Sequence, residues 1–217
     1  MKLCSIFLCL FCTQIGASQI LIDPTLPEKY TAAIQNFPKN GKAAIEKWDK
    51  TLGDSISGFH GLVVCSLSKI DTLNKKELKK LGFELEKNPE MFGDGGVLLA
   101  TAQFQNGVLK VGIGQIFEPE FITHEIKNDS MQTTFRKSYK QDFILKLEKS
   151  DKLTNELQLP VVVQNFSLST TSFEVGTVLY GSCEFETQPY FIQDFWEDDQ
   201  FLQLKNKYKY VFKVKIQ

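Results

Sequence analysis

The chain has 217 residues, of which 42% are hydrophobic and 24% are charged, and its formal net charge is −1 at pH 7. This near-neutral balance provides no general attraction to nucleic acid or to an anionic membrane surface, so we expect no nucleic-acid partner. The length suits one domain with a sizeable hydrophobic core.

The first residues, MKLCSIFLCLFCTQIGAS, have the layout of a secretory signal peptide. Lys2 precedes an apolar run over residues 3–12, and small residues then lead to a cleavage position after Ser18. The run is too short to span a bilayer, and no later stretch predicts a transmembrane segment. We therefore predict a signal peptide over 1–18 and a single secreted, extracellular domain over 19–217. The alternative is an uncleaved anchor or a buried N-terminal strand.

Cysteine usage indicates one disulfide. Three of the five cysteines leave with the signal peptide, and only Cys65 and Cys183 remain in the mature chain. Two cysteines in an oxidising compartment favour a long-range disulfide between them, and two buried free thiols are the alternative. Their spacing contains no CxxC pair and is not that of a zinc site, so we expect no metal.

Two Asn-x-Ser triplets occur, at Asn128 and at Asn165. In a secreted eukaryotic protein both asparagines are candidate glycosylation sites, which would place them on the surface.

Residues 28–52 are predicted to be helical, because apolar residues recur at intervals of three and four. Pro38 and the following Asn40-Gly41 should break this segment near its middle. The apolar stripe is predicted to be a core face, and it consists of Tyr30, Ile34, Phe37, Ala44, Ile45, Trp48 and Leu52. A short strand over 61–67 and a second helix over about 74–87 should follow.

The clearest local element is a β-hairpin within residues 95–117. Asn106-Gly107 is a strong signal for a two-residue turn, because both positions must accept a positive φ. This turn pairs Gln105 with Val108 and so fixes the register of the two strands. The register predicts one apolar face made of Leu98, Ala100, Ala102, Phe104, Leu109, Val111 and Ile113.

Further strands are predicted over 142–148, within 160–186 and over the C-terminal KYKYVFKVKIQ. In the last of these, apolar residues alternate with lysines, which indicates a half-buried strand. We interpret the lysines as protection of a sheet edge. Residues 191–201 are expected to form a short acidic helix, since their spacing does not match a calcium loop. The order of elements indicates an α+β fold, with an antiparallel sheet and an N-terminal helical segment packed on it.

The stretch Gly-Asp-Ser at 53–55 resembles the nucleophile motif of GDSL-type esterases, with Ser55 as the nucleophile. That chemistry needs a histidine base oriented by a carboxylate. The family's Asp-x-x-His has no counterpart, because Phe121 stands three residues before His124. A turn between a helix and a strand is the favoured interpretation, and a serine esterase is the remote alternative.

Two further stretches, Gln141–Leu147 and Thr171–Val175, follow the helical start and the hairpin. In this order they resemble the arthropod secreted carriers of the takeout, juvenile-hormone-binding and mite group-seven-allergen kind. The resemblance implies a long amphipathic helix wrapped in a curled antiparallel sheet, with a tunnel for lipids or other apolar ligands. The chain lacks that family's long C-terminal helix and its N-terminal disulfide.

These features predict a secreted, non-enzymatic binding protein without a cofactor. Its ligand would be an apolar small molecule or lipid in a Phe-lined cavity, with the predicted hairpin face as part of the lining. The alternative is an extracellular protein-interaction module, such as an effector, immune or venom component, with a protein partner and a solid core.

Overall fold

A computed structural model describes residues 18–37, 39–51, 58–72, 96–114, 120–128, 130–140, 144–148, 152–193 and 201–217. Within these ranges the chain forms two helices and a large sheet. The helices are α1 (Leu26–Gln35) and α2 (Lys39–Thr51). The strands are β1 (Ser18–Gln19), β2 (Leu21–Ile22), β3 (Gly61–Thr72), β4 (Gly96–Gln105), β5 (Val108–Gly114), β6 (Glu120–Lys127), β7 (Ser130–Ser138), β8 (Leu145–Lys146), β9 (Glu156–Leu168), β10 (Val178–Thr187), β11 (Tyr190–Gln193) and β12 (Phe201–Lys215).

Eight of these strands close into a barrel. Antiparallel pairs run in the order β3, β4, β5, β6, β7, β9, β10 and β12, and β12 pairs with β3 again. Each neighbour is the next long strand along the chain, which is an up-and-down arrangement. Closure pairs both edges of every long strand and removes the exposed sheet edges that favour aggregation.

Alternation of side chains along the strands separates the barrel interior from its outside. On β12 the even-numbered residues from Leu204 to Ile216 are buried, whereas the intervening residues face outward. β6 and β7 alternate in the same way. The predicted Lys-studded alternation of the C-terminal strand is therefore confirmed, but its position is not at an edge, because β12 pairs with both β3 and β10. Four of its lysines reach carboxylates, as in the Lys209–Glu184 ion pair.

The predicted hairpin is confirmed in turn and in register. Asn106 and Gly107 have φ values of 54° and 74°. β4 and β5 pair Gln105 with Val108 and Ala102 with Val111. Five residues of the predicted apolar face are buried in the interior core, and Leu98 and Phe104 are partly buried and pack against it. The Asn-Gly turn and the alternation of apolar and polar residues are both local properties of the sequence. Together they determine this hairpin without reference to the rest of the chain.

The N-terminal helices pack on the outside of the barrel. Tyr30 and Ile34 of α1 and Ile45 of α2 are buried against outward-facing Leu62 and Val64 of β3. The predicted break lies between the two helices, although Gly41 is inside α2. Two residues of the predicted stripe, Ala44 and Trp48, are exposed, and Leu52 lies outside the described residues.

Residues 18–22 complete the wall between β7 and β9. β7 pairs with β9 only over Thr134–Ser138. Beyond this stretch, Ser18 and Gln19 pair with Met131 and Ser130, and Ile22 pairs in parallel with Leu168 of β9. Ile20, between the two short strands, is buried in the interior core.

Strand accounts for 62% of the described residues, so the molecule is dominated by a large mixed sheet rather than a balanced α+β fold. Residues 169–177, predicted as strand, instead connect β9 to β10. Of the predicted acidic helix, residues 191–193 belong to β11 and residue 201 begins β12. The second predicted helix (74–87), Ser55, residues 1–17 and residues 194–200 lie outside the described residues.

Candidate functional site

Most of the predicted ligand-binding face is occupied by packing. Ala100, Ala102, Leu109, Val111 and Ile113 each have 0% relative exposure. No water-sized space lies against a side chain that has no accessible surface, so these five residues line no void. The facing walls supply Phe135, Phe166, Phe185 and Phe212, each no more than 1% exposed. The interior beside the predicted face is therefore a packed aromatic core.

A chain of neutral polar groups crosses the middle of the barrel. Tyr210 of β12 reaches His124 on β6, the opposite wall, with 2.6 Å between its hydroxyl oxygen and Nε2. The other imidazole nitrogen, Nδ1, lies 2.7 Å from Oγ1 of Thr133. Burial lowers the pKa of His124 to about 3, so the ring is neutral at pH 7 and pairs with both hydroxyl groups.

A second polar cluster occupies the barrel end at which β6 begins, β7 finishes and β12 begins, which we call the Glu120 end. Glu120 accepts hydrogen bonds from Lys137 Nζ (2.6 Å), from Asn206 Nδ2 (3.3 Å) and from the Tyr208 hydroxyl. Tyr190 donates to Oδ1 of Asn206 at 2.8 Å. We call these five residues the Glu120 cluster.

Burial and the Glu120 carboxylate determine the protonation of Lys137 and Tyr208 in the Glu120 cluster. Burial disfavours the charged form of Lys137, but the adjacent Glu120 carboxylate outweighs burial and raises the pKa of Lys137 above its usual range. Burial, followed by the negative charge of Glu120, raises the pKa of Tyr208. At pH 7 the cluster therefore contains one ammonium, one carboxylate and neutral phenols, with no net charge.

Aromatic rings surround the cations at the Glu120 end. Lys137 Nζ lies 5.8 Å from the ring centre of Tyr139 and 5.7 Å from that of Tyr190. Lys146 Nζ lies 3.3 Å from the ring centre of Phe201. The side chain of Glu120 is 18% exposed whereas that of Lys137 is 5% exposed, so solvent reaches the cluster from the Glu120 side.

The predicted Cys65–Cys183 disulfide is not formed, and both residues are buried free thiols. Tyr210 pairs with Cys183 on one side and with Cys65 on the other, so β12 separates the two cysteines. Two strand spacings correspond to roughly 9–10 Å, beyond the reach of a disulfide. Burial raises the pKa of each thiol to about 12, which makes both unreactive at neutral pH.

The remaining predicted positions are dispersed over the molecule. Asn128, in the turn between β6 and β7, and Asn165, on β9, are both exposed, as glycan acceptors would have to be. Over the ranges that the structure describes, no three His, Cys, Asp or Glu side chains group as metal ligands. The helices in these ranges are also too short and too polar to cross a membrane.

Sequence reasoning missed the Glu120 cluster, although a signal for it was present. Glu120 precedes Ile122 and His124 at intervals of two, and Lys137 follows Phe135 and Thr133 in the same way. Both charged residues thus extend an inward-facing pattern by one position, which places them inside the barrel. Their meeting with Tyr208 depends on barrel closure, which local pattern does not reveal.

No protein family, curated protein or solved structure matches the chain.

Proposed function

We propose that the protein is a secreted, non-enzymatic binding protein that takes a small amphipathic molecule at the Glu120 end of its barrel. The observation that carries this proposal is the partly buried Glu120–Lys137 ion pair among aromatic rings at a barrel end. Mouths of β-barrels are frequent ligand sites, and an eight-stranded barrel has room for at most one small ligand.

The energetics of the pair support a binding role. A buried ion pair gains little stability over apolar residues of similar volume, because both charges lose their hydration. A protein that needed only a filled barrel would be served equally well by aliphatic residues at these positions. The polar part of a ligand would exchange hydrogen bonds with the Glu120 cluster, and its apolar part would contact Tyr139 and Phe201.

The packed interior limits how deeply a ligand can enter. The Tyr210–His124 contact crosses the barrel, and the side chains around it leave no water-sized space against them. We therefore replace the predicted Phe-lined cavity with a shallower site. The curled antiparallel sheet of the predicted α+β fold would serve as the rigid wall of this site, with α1 and α2 outside it.

An extracellular location is part of the proposal. The signal-like residues 1–18 and the exposed Asn128 and Asn165 support it. The free Cys65 and Cys183 are compatible with an oxidising compartment, because their burial keeps them from oxidants and from each other.

Native mass spectrometry of the full chain secreted from eukaryotic cells would test for a co-purified small molecule. Binding of a dansylated fatty acid would then be followed by fluorescence. We expect Glu120→Gln to weaken binding at least tenfold, which corresponds to about 1.4 kcal/mol. The matched control is Glu125→Gln on the same strand. Glu125 also pairs with a lysine of the neighbouring strand, Lys110, but the side chain of Glu125 is 48% exposed.

A folding defect would be separated from lost binding by the double variant Glu120→Gln/Lys137→Met, which removes both charges and leaves neither one buried alone. We expect this variant to remain folded and to bind weakly. No co-purified molecule together with no saturable probe binding would overturn the proposal. Equal weakening by Glu125→Gln would overturn the assignment to the Glu120 cluster.

Exposed apolar side chains favour a second candidate, a protein-interaction module. Leu21, Ile22, Val175 and Val178 are between 46% and 67% exposed and lie toward the opposite end of the barrel. Apolar residues grouped on a surface are typical of protein contact sites. This candidate predicts an empty native mass and loss of partner binding in a Val175→Ser/Val178→Ser variant.

A further inference from the structure

A recess lies at the opposite end of the barrel from the Glu120 cluster, where β3 and β10 begin and β12 finishes. Its volume is about 330 Å³, and it is lined by Asp49, His60, Gly61, Gly176, Val178, Lys213 and Lys215. We call it the His60 recess. Its size is at the lower end of the range for small-molecule sites, so only a small ligand would fit.

One cation of the recess is neutralised and the other is not. Lys213 Nζ lies 3.0 Å from both carboxylate oxygens of Asp49. Asp49 also accepts a hydrogen bond from the Tyr30 hydroxyl at 2.9 Å. Among the described residues no carboxylate pairs with Lys215. Apart from the His60 ring, the lining thus carries one excess positive charge.

His60 supplies a buried polar atom without a hydrogen-bond partner among the described residues. The backbone of His60 is fixed between two strands, since its N–H donates to Ala100 O and its carbonyl accepts from Lys215 N, both at 2.9 Å. Its Nδ1 is buried and has no hydrogen-bond partner in the described part of the chain. A buried nitrogen without a hydrogen-bond partner is destabilising, so the His60 ring gains from turning this nitrogen toward a ligand in the recess.

We infer that the His60 recess binds a small organic carboxylate. The carboxylate would take a hydrogen bond from the His60 ring and attraction from Lys215, and Val178, 46% exposed, would contact the apolar part of the ligand. Lys213 is held by Asp49 and provides fixed positive charge at the recess wall. This site is independent of the proposed function, because the Glu120 cluster occupies the other end of the barrel.

The two histidines of the chain make the test internally controlled. Benzoate would be added to the ¹⁵N-labelled full chain while the imidazole nitrogens are followed by NMR. We expect a saturable shift of the His60 nitrogens and none for His124, which is completely buried. Benzamide, which has the same shape and no charge, should bind at least fivefold more weakly. Inorganic phosphate should also bind more weakly than benzoate, because equal binding would indicate a general anion site.

Matched lysine variants locate the site. Lys215→Gln should weaken benzoate binding about five- to tenfold, since it removes the cation without a described partner. Lys209→Gln makes the same charge change on the same strand, roughly 20 Å away, and should leave binding unchanged. An absence of saturable His60 shifts, tight binding of benzamide, or equal weakening by Lys209→Gln would each overturn the inference.

Discussion

Buried residues with neutral polar groups link opposite walls of the barrel. Tyr210 and His124 lie on β12 and β6, four strands apart in either direction around the ring. Thr133 completes the hydrogen bonding of the imidazole, and Cys65 and Cys183 flank Tyr210 as undissociated thiols. Tyr210, Cys65 and Cys183 are therefore uncharged at pH 7. Burial disfavours an imidazolium at this position, so protonation of His124 works against folding.

Acidification should destabilise the protein through His124. Its pKa is about 3 when folded and 6.5 as an unperturbed histidine, so between these values the unfolded chain binds a proton that the folded chain does not. The free energy of unfolding should fall by about 2–3 kcal/mol from pH 6.5 to pH 4.5, at about 1.4 kcal/mol per pH unit. Urea denaturation at several pH values would measure this, and His124→Gln should flatten the profile. An equally flat pH profile in the His60→Gln variant would contradict the assignment of this pH dependence to His124.

At the scale of elements, β10 and β12 pack closely because a glycine faces an aromatic ring. Gly181 pairs directly with Phe212, and a Cβ at position 181 would lie 2.2 Å from Cζ of that ring. The inward ring of Phe212 thus occupies the space that any other residue at position 181 would need. This pairing keeps the two strands in register while Phe212 fills the core.

Replacement of this glycine should show how tightly the element is packed. We expect Gly181→Ala to lower the free energy of unfolding by about 1–3 kcal/mol, because the added methyl group displaces Phe212. The combination with Phe212→Leu should cost less than the sum of the two single changes. Gly96→Ala, in a strand position where no described residue comes within 4 Å of the added Cβ, is the control and should be near neutral. Strict additivity of the double variant would contradict this account.

Elements whose determinants are local were predictable, and those that depend on strand order were not. Asn106-Gly107 and the flanking alternation determine the hairpin, its register and its buried face without reference to the rest of the chain. The apolar alternation of β12 is equally local. The partner strands of β12 are not determined locally. The lysines were therefore assigned to a sheet edge, but closure of the barrel leaves no edge at this strand. The cysteines failed for the same reason, because only the register shows that β12 lies between them.

The candidate site was predictable only in part. Sequence periodicity places the predicted hairpin face in the interior but cannot say whether aromatic rings from the opposite wall fill the space beside it. The Glu120 cluster combines side chains from β6, β7 and β12 with Tyr190 of β11, and barrel closure brings these elements together at one end. Spacing along the chain places Glu120 and Lys137 inside the barrel, but it does not show which side chains of other strands they meet there.

At the scale of the whole molecule, the first described residues fill part of the barrel wall. β7 and β9 pair over only part of their length, and residues 18–22 occupy the remaining gap. The buried side chain in this segment is Ile20, which joins the interior core, whereas its neighbour Leu21 is 58% exposed. A processing cut after Ser18 would keep Ile20, and a cut four residues later would remove it.

Ile20 should therefore contribute to global stability in spite of its position at the start of the described residues. We expect Ile20→Ala to lower the free energy of unfolding by about 2–4 kcal/mol, since it leaves a cavity against the interior core. Leu21→Ala, which removes a comparable side chain from an exposed position, should change it by less than about 0.5 kcal/mol. Urea denaturation of the chain starting at Gln19 would compare the two. If the variants were equally stable, residues 18–22 would be a dispensable appendage, and β7 and β9 would close the barrel without them.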